Sequence, residues 1–105
     1  MLMVETAIFT RQIQDELSDD QYRALQGLLI ADPKIGKIIP GSGGLRKLRF
    51  GRVAKGKRGG LRIIYHWHGG QDMILMLFVY PKNVRSDLSR DQLRTLKRMV
   101  DREYP

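Results

Sequence analysis

Apolar positions along the chain recur with two periods, and the changes from one to the other divide it into elements. Val4 to Phe9 alternates as a first strand should, and Thr10 is placed to cap a short helix starting at Arg11. Leu17-Ser18-Asp19-Asp20-Gln21-Tyr22 then reads as a capping box. In it Ser18 and Gln21 exchange bonds with backbone donors, and Leu17 and Tyr22 form a hydrophobic staple. Tyr22, Leu25, Leu28 and Leu29 follow at helical spacing and predict a core-facing stripe. Asp32-Pro33 stops this helix, because proline pushes the residue before it out of the helical region. A glycine- and proline-rich connection through Gly41-Ser42-Gly43-Gly44 leads into strands.

From Leu45 to Phe50 the period is two, which puts Lys47 and Arg49 on one face of a strand and Leu48 and Phe50 on the other. Arg52 to Gly60, with five glycines and lysines in its second half, reads as a mobile loop before a strand from Leu61 to Trp67. His68-Gly69-Gly70-Gln71-Asp72 turns a hairpin into Met73 to Tyr80, which is apolar on both faces and so belongs inside a sheet covered by helices. A second capping box, Leu88-Ser89-Arg90-Asp91-Gln92-Leu93, opens a C-terminal helix with Leu93, Leu96 and Val100 at helical spacing. The expected order is β-α-α-β-β-β-α, an α+β fold with helices packed on the sheet.

Composition narrows the class. With 105 residues the chain fits one domain, 1–105, and 42% hydrophobic against 29% charged residues is the balance of an ordered globular protein. The absence of cysteine excludes disulfides and thiolate metal sites and suits a reducing compartment. Met73 to Tyr80 is too short to span a bilayer, and Glu5 stands where a signal peptide needs a basic start and apolar middle. The expectation is a cytoplasmic protein with no membrane partner.

Charge changes the picture most. Between Pro33 and Gln71 there are ten basic residues and no Asp or Glu, whereas the remainder has nine basic and eleven acidic residues. The segment therefore carries +10 and the rest −2, which together make the net +8. A merely solvated surface interleaves both signs, so an acid-free block on a folded segment points to a polyanion, and RNA fits best.

Four constellations in or beside this block bear on candidate chemistry. Gly51, Gly56 and Lys57 match positions of a phosphate-binding loop, but Arg58 replaces its magnesium-binding Ser or Thr and no helix follows. His66 and His68 share a strand face but lack a nearby carboxylate or third ligand, so metal binding is not expected. Tyr65 and Trp67 take the opposite face and suit either core packing or base stacking. The basic cluster remains: Lys55, Lys57 and Arg58 before the strand, Arg62 on it, and Lys82 just past Tyr80. Cleaving RNA with its own 2′-hydroxyl needs a base, stabilisation of the charged phosphorane and protonation of the leaving 5′-oxygen. Arginines suit the second task. An ordinary lysine is neutral in only about one molecule in 2,500 at pH 7, but crowding by like charges raises that fraction. Lys55 or Lys57 could then act as base, while a cluster that only grips phosphates would use the same residues.

The chain resembles the RelE-like toxins of bacterial toxin–antitoxin pairs, most closely the HigB type. The resemblance covers nearly the whole sequence. It rests on Asp32-Pro33-Lys34-Ile35-Gly36, Gly43-Gly44-Leu45-Arg46-Lys47-Leu48-Arg49, Gly56-Lys57-Arg58-Gly59-Gly60-Leu61-Arg62-Ile63-Ile64-Tyr65, and Tyr80-Pro81-Lys82-Asn83 with Asp87-Leu88-Ser89. It implies a microbial-ribonuclease-like fold, ribosome-dependent cleavage of mRNA in the decoding site without metal or other cofactor, and neutralisation by a cognate antitoxin. By that resemblance the catalytic set is Lys55, Lys57, Arg62 and Lys82. The RNA-contacting set is Arg46, Lys47, Arg49, Arg52 and Arg58 with Tyr65 and Tyr80. The sequence departs from the family at Asn83, where some relatives have arginine, and at Asp87-Leu88, where several have a catalytic tyrosine. Two other readings stay open: a gyrase inhibitor of the ParE type on the same superfold, and a non-catalytic RNA-binding regulator.

Overall fold

A computed structural model describes residues 1–54, 57–84 and 87–103. Five strands form one sheet in the order β1-β5-β4-β3-β2, from β1 (Leu2–Glu5), β2 (Lys37–Ile38), β3 (Arg46–Ala54), β4 (Lys57–His68) and β5 (Met73–Pro81). β1 lies parallel to β5, and the other neighbours are antiparallel. Helices α1 (Ala7–Glu16) and α2 (Asp19–Ala31) cover one face, burying Phe9, Ile13, Leu25 and Leu29 against Leu48, Ile63 and Met76. Helix α3 (Arg90–Glu103) covers part of the other face, with Leu96 and Val100 against Ile64, Leu75 and Leu77. A central β5 that is apolar on both faces is what these two layers require. No helix among the described residues is long and apolar enough to cross a membrane.

Both serine capping boxes form. Ser18 Oγ accepts from Gln21 N at 3.2 Å while Ser18 N donates to the Gln21 side chain at 3.1 Å. Gln92 N donates to Ser89 Oγ at 3.1 Å and Ser89 N to the Gln92 side chain at 2.8 Å. The start of the first helix differs from expectation. Thr6, not Thr10, is its cap: Thr6 Oγ1 accepts from Phe9 N at 3.1 Å and donates to Leu77 O at 3.0 Å, which ties the helix start to β5. β1 accordingly ends at Glu5, and Phe9, the expected end of a strand, is fully buried inside α1. A short apolar run does not by its period distinguish the two states, and the bond to β5 decides.

The expected loop from Arg52 to Gly60 is instead largely sheet. Pairing between β3 and β4 runs on through Gly51 opposite Gly60, Arg52 opposite Gly59 and Ala54 opposite Lys57. Glycine weakens a strand by its conformational entropy but forbids no ladder bond, and Gly59 takes a φ of +91° that a side chain would resist. The two-residue strand β2, within the expected connection, adds an edge by pairing Lys37 with Lys47 and Ile38 with Arg46.

One irregularity sets the face of a later residue. Ile64 pairs with Phe78 but Tyr65 with Met76, so Leu77 is an extra residue in β5. The bulge shifts the alternation that follows it. Tyr80 thereby joins Leu75 and Leu77 on the α3 side, while Val79 packs on the α1–α2 side with Met76.

Candidate RNA-binding groove

On the α3 side the helix leaves part of the sheet uncovered, and a groove of about 770 Å³ opens there. Lys47 and Arg49 of β3, Ile64 of β4 and Tyr80 of β5 line it from the sheet, with Ile35, Ile38 and Pro40 on one side and Leu88 and Leu93 on the other. Its polar content comes from the period of two, because Leu48 and Phe50 are drawn into the α1–α2 core and turn Lys47 and Arg49 outward. Arg62 adjoins the groove from β4, directly opposite Arg49 on one neighbour and Tyr80 on the other. Like charges facing each other across strands are unfavourable, so this arrangement concentrates positive potential at a cost in stability.

Arg62 is only 5% exposed. Its guanidinium passes over Gly60, where an added Cβ would lie 3.2 Å from Arg62 Nη1. Glycine at position 60 therefore leaves the room that this side chain occupies. Lys82 N donates to Gly60 O at 3.0 Å, which brings exposed Lys82 to the same end of the sheet as Arg62. Asp87 completes the cluster: Lys47 Nζ donates to its carboxylate at 2.8 Å. The carboxyl is held below its ordinary range first by that hydrogen bond, then by the charge of Lys47 and the nearby charges of Arg62 and Arg49.

The structure thus brings Lys47, Arg49, Arg62 and Tyr80 to one face, with Lys82 at its end. Arg52, Lys57 and Arg58 lie on the adjoining hairpin strands, and Lys55 lies outside the described residues. Two residues expected to contact RNA, Tyr65 and Arg46, are placed away from the groove lining. Tyr65 is fully buried in the α1–α2 core, where its hydroxyl accepts from Gly36 N at 2.9 Å and donates to Pro33 O at 2.8 Å. Burial holds that hydroxyl above its ordinary pKa and keeps it protonated. Arg46 Nη1 donates to Gly36 O at 2.8 Å and Lys34 O at 3.3 Å. Both residues brace the turn from Pro33 to Gly36, beside Ile35 of the groove wall, and neither is among the residues that line the groove.

The histidines sit at the other end of β4, beside the turn into β5, with their rings 5.9 Å apart. Burial, His68 and Lys97 together hold the His66 imidazole below its ordinary pKa. Among the described residues no three His, Asp or Glu side chains come together as metal ligands. Asp87 entered the sequence reading as part of the family resemblance and as a departure from its catalytic pattern, not as a site residue. Its pairing with Lys47 spans 40 residues, and no periodicity reports a contact of that kind.

Comparison with known proteins adds two findings. A family model described as the RelE toxin of the RelE/RelB toxin–antitoxin system matches residues 3–103. Among solved structures, a double-arginine mutant of the E. coli toxin RelE in the free state superposes with a TM-score of 0.58. The match covers 81% of this chain and 86% of that one at 12% sequence identity, a likeness of fold.

Proposed function

The chain belongs to the RelE toxin family, and from that premise we propose that it is a metal-independent, ribosome-dependent endoribonuclease that cleaves translated mRNA. The observation that carries this reading is the pair Lys47 and Arg49 lining an open groove, with Arg62 against it opposite Arg49 in the sheet and Lys82 at the same end. RNA laid in such a groove meets cations on strands, whose backbone holds them more firmly than a loop would.

In the proposed reaction the 2′-hydroxyl of one nucleotide attacks its own 3′-phosphate. The new 2′-O–P bond forms as the P–O5′ bond breaks, leaving a 2′,3′-cyclic phosphate and a free 5′-hydroxyl. A base takes the 2′ proton, and an acid gives one to the 5′-oxygen. Arg62 is assigned to the phosphorane charge, because a guanidinium stays ionised and presents paired donors to phosphate oxygens. Lys55, Lys57 and Lys82 are the proton-transfer candidates, with Lys47, Arg49, Arg52 and Arg58 holding flanking phosphates. The expected partners are the ribosome with its mRNA and an antitoxin whose acidic segment would lie over the groove.

Induction in growing cells tests the reading. Growth arrest with new mRNA ends inside translated frames, mapped by primer extension, is the expected result. Intact mRNA with damaged DNA would instead indicate a gyrase inhibitor, and growth arrest with neither would indicate a non-catalytic RNA binder. Arg62→Ala should lower cleavage by about two to three powers of ten, as loss of a charge-stabilising donor does, with the circular dichroism spectrum retained.

A further inference from the structure

The acid in the groove has no role in that scheme. Among the described residues lining the groove Asp87 is the one carboxylate, and it is seated against the cations assigned to phosphate. Lys47 Nζ donates to Asp87 Oδ1 at 2.8 Å, and Arg62 and Arg49 act on the same carboxyl through their charge. An ionised carboxylate and a phosphodiester make the same demand on such a cluster: both carry about one negative charge and only accept hydrogen bonds. Lys47 is 25% exposed and Asp87 70% exposed, so water and solutes reach the pair from the Asp87 side. An ion pair this exposed is weakly held and exchanges readily with a competing anion.

We propose that Asp87 is a built-in stand-in for the RNA phosphate: it holds Lys47 in the free toxin and is displaced when a substrate phosphate enters the groove. The proposal rests on the reading of this groove as an RNA site and assigns the residue that sets its selectivity. RNA arriving from bulk solution must displace Asp87 and also tolerate its charge nearby. RNA already positioned against the protein by a larger assembly is present at high effective concentration and displaces the carboxylate with little loss. Asp87 therefore biases the toxin against unpositioned RNA without removing any cation that chemistry needs.

The test measures binding of the purified chain to a short 2′-O-methyl RNA, which lacks the attacking hydroxyl, and separately to inorganic phosphate, at fixed salt. Removing one negative charge roughly 5 Å from a bound phosphate, under near-aqueous screening, corresponds to about threefold to tenfold tighter binding. Asp87→Asn should show that gain for both probes. Lys47→Met should weaken binding, and adding Asp87→Asn in that background should recover much less than it gains in the parent chain. Unchanged or weaker binding by folded Asp87→Asn would overturn the proposal and make Asp87 a positioning residue for Lys47. In the unmodified chain the Asp87 side-chain carboxyl resonance should move on titration with phosphate, and a resonance that stays fixed while phosphate binds would overturn it equally. Cleavage by the unmodified chain in a translating extract tests the underlying reading separately. Cleavage without tighter binding in Asp87→Asn defeats displacement alone, whereas tighter binding in a chain that never cleaves supports displacement and defeats the nuclease assignment.

Discussion

The Tyr65 hydroxyl, buried between Gly36 N and Pro33 O, shows how a residue can shape a groove without lining it. Its two bonds fix the turn that holds Ile35 on the groove wall, and the contact is close enough to require glycine opposite it. A Cβ at Gly36 would lie 2.7 Å from the tyrosine ring. Tyr65→Phe keeps the ring but strands two backbone groups, and leaving buried polar groups unpaired costs about 1–3 kcal/mol. Chemical denaturation should show a loss in that range, with cleavage by the folded fraction little changed. A large loss of cleavage at full stability would instead return Tyr65 to the RNA surface. From sequence, Tyr65 and Trp67 read as core packing ahead of base stacking without excluding the second, because alternation tells which residues share a face and not which face is covered. Lys47 and Arg49 were legible for the complementary reason: their apolar neighbours Leu48 and Phe50 announce a core on the opposite side. Tyr80 was expected at the site and does line the groove, but alternation could not place it there, since the bulge at Leu77 reverses the face that the earlier part of the strand would give it.

Elements were legible where hydrophobic period and end signal coincide. The boxes at Ser18 and Ser89 each combine a cap, a glutamine three residues on and an apolar stripe, and both helices start there. The first helix is capped by Thr6 rather than by the expected Thr10, because Thr6 Oγ1 accepts from Phe9 N and donates to Leu77 O of β5, a tertiary bond that no local period reports. The β3–β4 hairpin was obscured by glycines that are common in loops yet compatible with pairing. The two boxes also make an internal control. Loss of either serine side chain should cost about 1 kcal/mol, the usual value for a helix N-cap. Ser18→Ala acts on α2, behind the sheet, whereas Ser89 lies between Leu88 and Leu93, which line the groove. With equal drops in thermal stability, Ser89→Ala should lower mRNA cleavage and Ser18→Ala should not. Equal cleavage by the two variants would show that the start of α3 does not shape the site.

At the scale of the molecule, a net charge of +8 is less informative than its placement. The sheet holds Lys47, Arg49 and Arg62 on one face, and α3 leaves that face open toward the groove. Binding that depends on such a face must depend on salt. Each phosphate neutralised on single-stranded RNA contributes about 0.7 to the slope of log affinity against log salt concentration. Measured with a non-cleavable oligonucleotide between low and physiological salt, Arg49→Ala should reduce that slope by about this amount and weaken binding across sequences, because the contact proposed for it is to phosphate. Arg23→Ala provides the comparison. Arg23 is exposed on α2, behind the sheet, and pairs with Asp20 at 3.6 Å. Its loss removes the same formal charge from a surface that RNA in the groove would not touch, so the slope should stay constant. Equal changes in the two variants would mean that net charge alone attracts RNA. A change confined to Arg49→Ala would mean that the fold selects which of nineteen basic residues meet the polyanion.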